Sequence, residues 1–304
     1  MNLTVMFQSN GGLTSARNSG ISQSQGEWIL PLDADDTISS GFLSRSYDII
    51  SQLDRKKNNT IIISDLNGFV EDTKVEGLKQ TLMSWPIPAW DRKVITKKNL
   101  LHCSALYKKD LWSSIGGYDN SLWFGWEDWD YWLRLDRSLP QGLDIHVVKD
   151  ELFNYRMKPG MHSFCKDNNQ LCFSMFMTLH PNEYSIEDVL RAHKTIGMEG
   201  DKIMLPLLRV AKHYPNLPYV HLWLGLVHEY SKSTKDIDQA RQEYDKSIEL
   251  SSTSDGGEWQ PLILRSLADR GSKRFIHSKL DIAAQFTKQP SLIQPMKNVY
   301  GDIF

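Results

Sequence analysis

The chain has 304 residues, 40% hydrophobic and 24% charged, and its 35 basic and 37 acidic side chains leave a formal net charge of −2. This is the composition of one large or two ordinary globular domains; it excludes collagen-like, disordered and low-complexity classes and lacks the basic footprint of a nucleic-acid binder. Three cysteines, Cys103, Cys165 and Cys172, are too few and too irregularly spaced for a disulfide framework or a zinc site.

In chain order, Leu3 to Phe7 reads as a strand, and Asn10-Gly11-Gly12 as a turn. Thr14 to Gln25 carries a small-residue helix pattern. Glu27 to Leu32 is a short buried strand that runs into acidic residues. Ser39 to Leu53 has amphipathic helical spacing, and Thr60 to Ser64 is a β-branched strand. Short strands alternating with helices predict an α/β layer fold with a mainly parallel sheet over residues 1–165. Residues 166–200 read as a connecting segment, in which Leu171 to Leu179 is an apolar, Met-rich packing helix broken by His180-Pro181-Asn182.

From residue 201 the character changes. Ile203 to His213, Val220 to Tyr230, Asp236 to Leu250 and Trp259 to Arg270 have helical spacing, with Pro215, Pro218 and a Ser/Thr/Gly-rich run at 251–257 between them. They predict a smaller all-α domain over 201–304. Leu224, Gly225, Tyr230, Ala240, Tyr244, Ile248 and Leu250 fit two antiparallel helices packed closely at Gly225 and Ala240. That hairpin resembles one tetratricopeptide repeat with a loop about three residues too long; a second clear repeat is missing, and a generic helical hairpin fits equally well. These helices are the expected surface for a protein partner or for self-association. No apolar run approaches the roughly 18 residues that span a bilayer, and the start has no basic leader. A cytoplasmic chain, or one peripheral to a membrane face, is expected.

The sharpest chemical feature is Leu32-Asp33-Ala34-Asp35-Asp36. In an extended segment residues i and i+2 point to one side, so Asp33 and Asp35 would converge at the strand's end. A hard divalent cation, Mg²⁺ or Mn²⁺, would relieve their repulsion and leave positions for phosphate. Alone, the same residues describe a solvated acidic turn before the helix near Ser39.

Three further blocks stand in order: Asn10 to Ile21, with Ala16-Arg17-Asn18 inside it; Gly116-Gly117-Tyr118-Asp119 followed by Trp126-Glu127-Asp128-Trp129-Asp130-Tyr131-Trp132-Leu133-Arg134; and Tyr155-Arg156 followed by His162. Together with the acidic run they closely resemble the family 2 glycosyltransferases, enzymes of the GT-A fold. The resemblance covers residues 1 to about 163. It implies an inverting transfer from a nucleotide-diphosphate sugar, commonly a UDP-sugar, to a hydroxyl of a saccharide, lipid-linked or protein acceptor. It implies Asp33 and Asp35 at the metal and diphosphate, supported by Asp36, with Asn10, Gly11, Arg17 and Gly117 on the donor side. Asp128 matches the family's base, and Glu127 would hold the acceptor or the local turn. His162 would complete the metal shell.

Each role has a plainer counterpart. Arg17 fits a surface ion pair to Asp33 or Asp35, and both roles are compatible. Asp128 fits an N-cap for a helix from Trp129 to Arg137, and His162 fits an ordinary surface residue. Five of the ten tryptophans fall between Trp112 and Trp132; beside the carboxylates they would lower the local dielectric and raise a carboxylate's pKa. Trp126 would offer a face to a sugar. Trp85 and Trp90, in a Pro-rich loop, line the acceptor side or pack in the core.

Resembling domains open earlier, with two strands that hold the nucleotide's base and ribose. The expectation is a partial GT-A domain whose first strands come from a longer reading of the gene or from a neighbouring chain. Two alternatives stand: an inactive remnant acting as a helical-repeat interaction or carbohydrate-binding protein, and a metal-dependent phosphatase or nuclease built on Asp33, Asp35 and Asp36.

Overall fold

The computed structural model describes residues 3–54, 58–71, 79–158, 163–233, 235–251 and 259–268. The chain divides into two compact units, Met1–Ser163 and Phe164–Phe304.

The first unit is α/β. Its elements are α1 (Gly12–Gln23), β1 (Trp28–Ile29), β2 (Thr37–Ile38), α2 (Gly41–Gln52), β3 (Thr60–Glu71), β4 (Lys79–Trp85), β5 (Leu106–Lys108), α3 (Lys109–Ser114), α4 (Glu127–Ser138) and β6 (Asp144–Arg156). The sheet runs β1-β5-β3-β6-β2, with β4 also paired to β3. The Ile61-Ile62-Ile63 run makes β3 the buried centre of the sheet, because β-branched side chains fit a pleated surface covered on both faces. Phe42 of α2 packs on Ile62, Leu106 and Val148, with Ile49, Ile50 and Leu152 around them.

The mainly parallel sheet expected from the strand–helix alternation is corrected to a mixed one. Among the described strands β3 and β6 run parallel, from Thr60 opposite Asp144 to Phe69 opposite Arg156. The β1–β5, β2–β6, β3–β4 and β3–β5 pairs are antiparallel. Parallel neighbours need a long crossover, whereas strands of two or three residues such as β1, β2 and β5 can join a sheet edge from a loop. Leu3 to Phe7 is not a strand. It has no ladder partner among the described residues, and Leu3 is 87% and Phe7 95% exposed. Alternating apolar residues make a strand only where a neighbour takes up the backbone groups.

The second unit is helical: α5 (Ser163–Asp167), α6 (Asn169–Leu179), a 3₁₀ turn (Pro181–Glu183), α7 (Ile186–Met198), a second 3₁₀ turn (Gly200–Lys202), α8 (Met204–His213), α9 (Pro218–Tyr230), α10 (Ile237–Ser251) and α11 (Trp259–Ala268). Residues 166–200, read as a connector, contain α6 and α7 and lie within this unit. The packing helix expected over Leu171 to Leu179 is α6, which buries Leu171, Cys172, Ser174, Met175, Phe176 and Thr178, a face wider than a single apolar stripe. Trp223 of α9 donates to Thr178 Oγ1 at 2.9 Å and ties α9 to α6. No described helix is long and apolar enough to cross a membrane.

Helices α9 and α10 pack antiparallel. Ser247 Oγ donates to Pro218 O at 2.8 Å, and farther along α9 Tyr244 Oη donates to Glu229 Oε2 at 2.7 Å. The Tyr244 ring lies across Gly225, where a Cβ would sit 2.3 Å from Cε1. Gly225→Ala should therefore destabilise this unit by about 1–3 kcal/mol through overpacking, despite its better helix propensity. Chemical denaturation measures this, and an unchanged or raised midpoint would show that the two helices part readily.

Candidate active site

Helix α1 carries Arg17 and Asn18 on successive positions, and each reaches a different motif. Arg17 Nη1 donates to Glu127 Oε1 at 2.6 Å. Its Nη2 is shared between Asp33 Oδ1 at 2.8 Å and Oδ2 at 3.0 Å. The Arg17 side chain is only 7% exposed, and its guanidinium lies over the Tyr118 ring, 5.5 Å from the centroid. One buried cation thus joins the acidic run to the Glu127-Asp128 pair.

Asn18 builds the frame. Its Oδ1 accepts from Tyr118 N and Trp112 Nε1, both at 2.9 Å, and its Nδ2 donates to Tyr118 O at 2.8 Å. Gly117 has a left-handed φ of 80°, and a Cβ there would meet Asn18 Oδ1 at 2.5 Å. Only glycine combines that φ with so close an approach. The Gly117 carbonyl accepts from Arg134 Nη2 at 2.8 Å, and the same guanidinium forks onto Asp130 Oδ2. Gly117 thus lies at the junction of α1, α4 and the Gly-Gly-Tyr loop. Asn10 is exposed and its Oδ1 accepts from Gly12 N at 3.1 Å, beside Gly11 at the start of α1.

The acidic residues do not form an extended pair. Asp36 N donates to Asp33 O at 3.1 Å, closing a turn, so the i, i+2 convergence of an extended segment does not apply and each carboxylate has its own partner. Asp33 is forked by Arg17. Asp35 takes Lys158 Nζ at 2.7 Å, and that bond, ahead of other causes, lowers its pKa. Asp36 is buried; its Oδ1 accepts from Arg156 N at 2.9 Å, while Oδ2 has no partner among the described residues. Burial pushes Asp36 up to about 6, and Asp33 and Asp35 add to the rise. Tyr155 feels the same charges: burial first, then Asp36, Cys103, Asp33 and Asp35, raise its pKa.

This donor set fits a hard divalent cation. A buried carboxylate oxygen stands unpartnered beside the partly exposed Asp35. Asp33 and Asp35, with Asp36 beside them, are the residues that would hold it; Asp33 is forked by Arg17 and Asp35 is paired with Lys158. Among the described residues no three His, Cys, Asp or Glu side chains form a ready ligand group. His162 lies outside the described residues.

Helix α4 begins at Glu127, two residues earlier than an Asp128 cap requires, and its N-cap is Trp126 at φ 65°. A bulky residue in the left-handed region is strained. Asp128 Oδ1 accepts from Trp129 N at 2.8 Å and Oδ2 from Asn99 Nδ2 at 3.1 Å. Removal from water, then the neighbouring Glu127 charge, pushes Asp128 up to about 7 against the pull of Arg17 and the two donors. Cys103, pushed up to about 12 by burial, is within electrostatic reach of Arg17, Asp128 and Asp33, so it is a neutral thiol at neutral pH.

Trp126 packs on Trp129 at 5.2 Å, next to Glu127. Trp85, at the end of β4, meets the His102 ring edge-on at 6.4 Å, one residue from Cys103. Trp90 is not brought to the cluster. Its Nε1 donates to Asp136 Oδ1 at 3.2 Å, about 12 Å along α4 from Asp128 at 1.5 Å per residue; the buried Asp136 carboxylate takes its partners there. Asn99, Cys103 and Lys158 belong to the site although no role was expected of them. Lys158 follows Tyr155-Arg156, a signal that could have been used, whereas Asn99 and Cys103 stand in no motif.

Residues 2–165 match a family model described as glycosyltransferase-like family 2. A protein of Sinorhizobium fredii (strain NBRC 101917 / NGR234) described as uncharacterized protein y4gI is 26% identical over 156 residues, 51% of this chain and 16% of that relative. The matched part is thus a small fraction of the relative's length. The family match takes in more than half of the chain, and it falls on the unit in which Arg17 ties Asp33 to Glu127: the chain belongs to the glycosyltransferase-like family 2.

Proposed function

We propose that the first unit is a GT-A-type domain that transfers a sugar, with inversion, from a nucleotide-diphosphate donor, commonly a UDP-sugar, to an acceptor hydroxyl. The observation that carries this is the Arg17 bridge between Asp33 and Glu127, which sets the donor-side acids beside the Glu127-Asp128 pair. Asp128 is the base. A carboxylate with a pKa near 7 is substantially ionised at neutral pH yet basic enough to take a hydroxyl proton. As the acceptor oxygen bonds to the anomeric carbon, the bond from that carbon to the diphosphate breaks, and the proton passes to Asp128.

Negative charge grows on the leaving diphosphate. Arg17 and Lys158, both now on carboxylates, supply donors toward that side. Asp33 and Asp35, supported by Asp36, would hold Mn²⁺ or Mg²⁺, with His162 expected as a further ligand; the cation would supply positive charge for the departing group. Asn10, Gly11 and Gly117 border the donor, and Trp126 and Trp85 border the acceptor. The helical unit, read as tetratricopeptide-like, presents a face to a partner or a second copy.

The test is Mn²⁺-dependent UDP binding by calorimetry together with UDP release from a panel of UDP-sugars. Asp35→Ala should weaken Mn²⁺-dependent UDP binding by about tenfold or more. An unchanged titration would remove the metal role, and phosphate release from simple esters without a sugar donor would favour a phosphatase.

A further inference from the structure

Asn99 comes to Asp128 from the loop between β4 and β5. Its Nδ2 donates to Asp128 Oδ2 at 3.1 Å, and its Oδ1 accepts from Leu101 N at 3.3 Å. The second bond orients the first. The Leu101 amide needs an acceptor, so the carboxamide oxygen faces it and the NH₂ group turns to Asp128. With Trp129 N on Oδ1, each Asp128 oxygen receives one donor and keeps a lone pair for an incoming hydroxyl.

Among the described residues, the other charged or titratable groups that act on Asp128 are Glu127 on its own helix, Arg17 from α1 and the Cys103 thiol from the same loop as Asn99. Burial and Glu127 favour the neutral acid. Arg17 opposes them, but it is shared with Asp33 and Glu127. Asn99 gives its donor to Asp128 and is anchored by its own loop.

We propose that Asn99 is a positioning residue, which holds the Asp128 carboxylate in one rotamer and extends to lower pH the range in which it acts as base. This rests on Asp128 being the base of the proposed transfer. A donor to the charged form lowers a carboxyl pKa, so its loss raises the pKa.

The experiment titrates the Asp128 side-chain carboxyl by carbon-13 NMR in the full chain, its resonance assigned with Asp128→Asn. The same proteins are assayed for Mn²⁺-dependent UDP release from UDP-glucose, UDP-galactose and their N-acetylhexosamine counterparts across pH 5–9, a range of about four units that brackets the wild-type midpoint. Asn99→Leu removes the donor at similar volume, and Asn99→Asp removes it at the same shape. In Asn99→Leu the midpoint and the acid limb of turnover should rise together by about one unit, a roughly tenfold loss of rate below the limb, with recovery to within about threefold on the alkaline plateau. Asn99→Asp, bringing a like charge, should move both farther. Asn99→Ser, which keeps a short donor, should return them toward wild type.

A midpoint that stays in place in Asn99→Leu and Asn99→Asp overturns the proposal, as does a loss equal at every pH with the limb unmoved, the mark of a structural role alone. If one variant does not fold, the other carries the same reading. Failure of the base assignment is distinguishable: Asp128→Asn would then keep releasing UDP whatever the Asn99 variants do.

Discussion

Asp128→Asn lowers UDP release coupled to transfer by about 10³-fold, within the range of about 10²–10⁴ that a positioned base supplies, while Mn²⁺-dependent UDP binding stays within about threefold. The amide keeps the shape and can still accept from Trp129 N, but it cannot take a proton. In the wild type the rate should rise with pH through about 7, as the carboxylate forms, and that limb should vanish in the variant.

Stability separates this from a capping role. The folded-state pKa of Asp128 lies above its unfolded value. The folded chain therefore favours the protonated acid, and stability is greatest below the unfolded pKa and declines as pH rises toward the folded one. At pH 7.5 the neutral Asp128→Asn variant should melt at or above the wild-type temperature. A lower melting temperature, with binding and turnover lost in parallel, would reduce Asp128 to a structural residue.

Arg17→Met has the largest effect expected on the fold of the first unit. Methionine matches much of the volume but strands Asp33 and Glu127, whose side chains are 26% and 11% exposed, without their shared cation. Breaking a buried pair by removing one partner costs about 3–5 kcal/mol. Arg17→Lys should rescue it poorly, because one ammonium cannot fork onto Asp33 and reach Glu127 together. Chemical denaturation with calorimetry of UDP and Mn²⁺ gives both readouts. A variant as stable as wild type that still binds UDP would mean that the bridge contributes to neither.

Much of the helical structure was legible. Spacing placed α2, α8, α9, α10 and α11 to within a few residues, and the close approach expected at Gly225 is met by the Tyr244 ring. Strands were read less well. Thr60 to Ser64 is the start of β3, but the strand continues to Glu71 because β4 and β6 pair with its second half, where Asp65, Asn67 and Gly68 interrupt the apolar run. Leu3 to Phe7 has strand composition but no ladder partner among the described residues.

The acidic run, Arg17 and the Glu127-Asp128 pair were recognisable as types and order of residues. That Asn18 ties the Gly117 loop to α1, or that Asn99 faces Asp128, had no local signature. Such contacts depend on where the chain returns in space.

By itself, then, the sequence determined the α/β-then-helical order, most helix positions and the family. These follow from side chains a few residues apart and from short ordered motifs. Only the tertiary structure decided the strand directions, the separate partners of Asp33, Asp35 and Asp36, and the meeting of Arg17 with Glu127 across 110 residues. Hydrogen bonds and ion pairs act over a few ångströms, so folding, and not spacing along the chain, selects which polar groups come within reach.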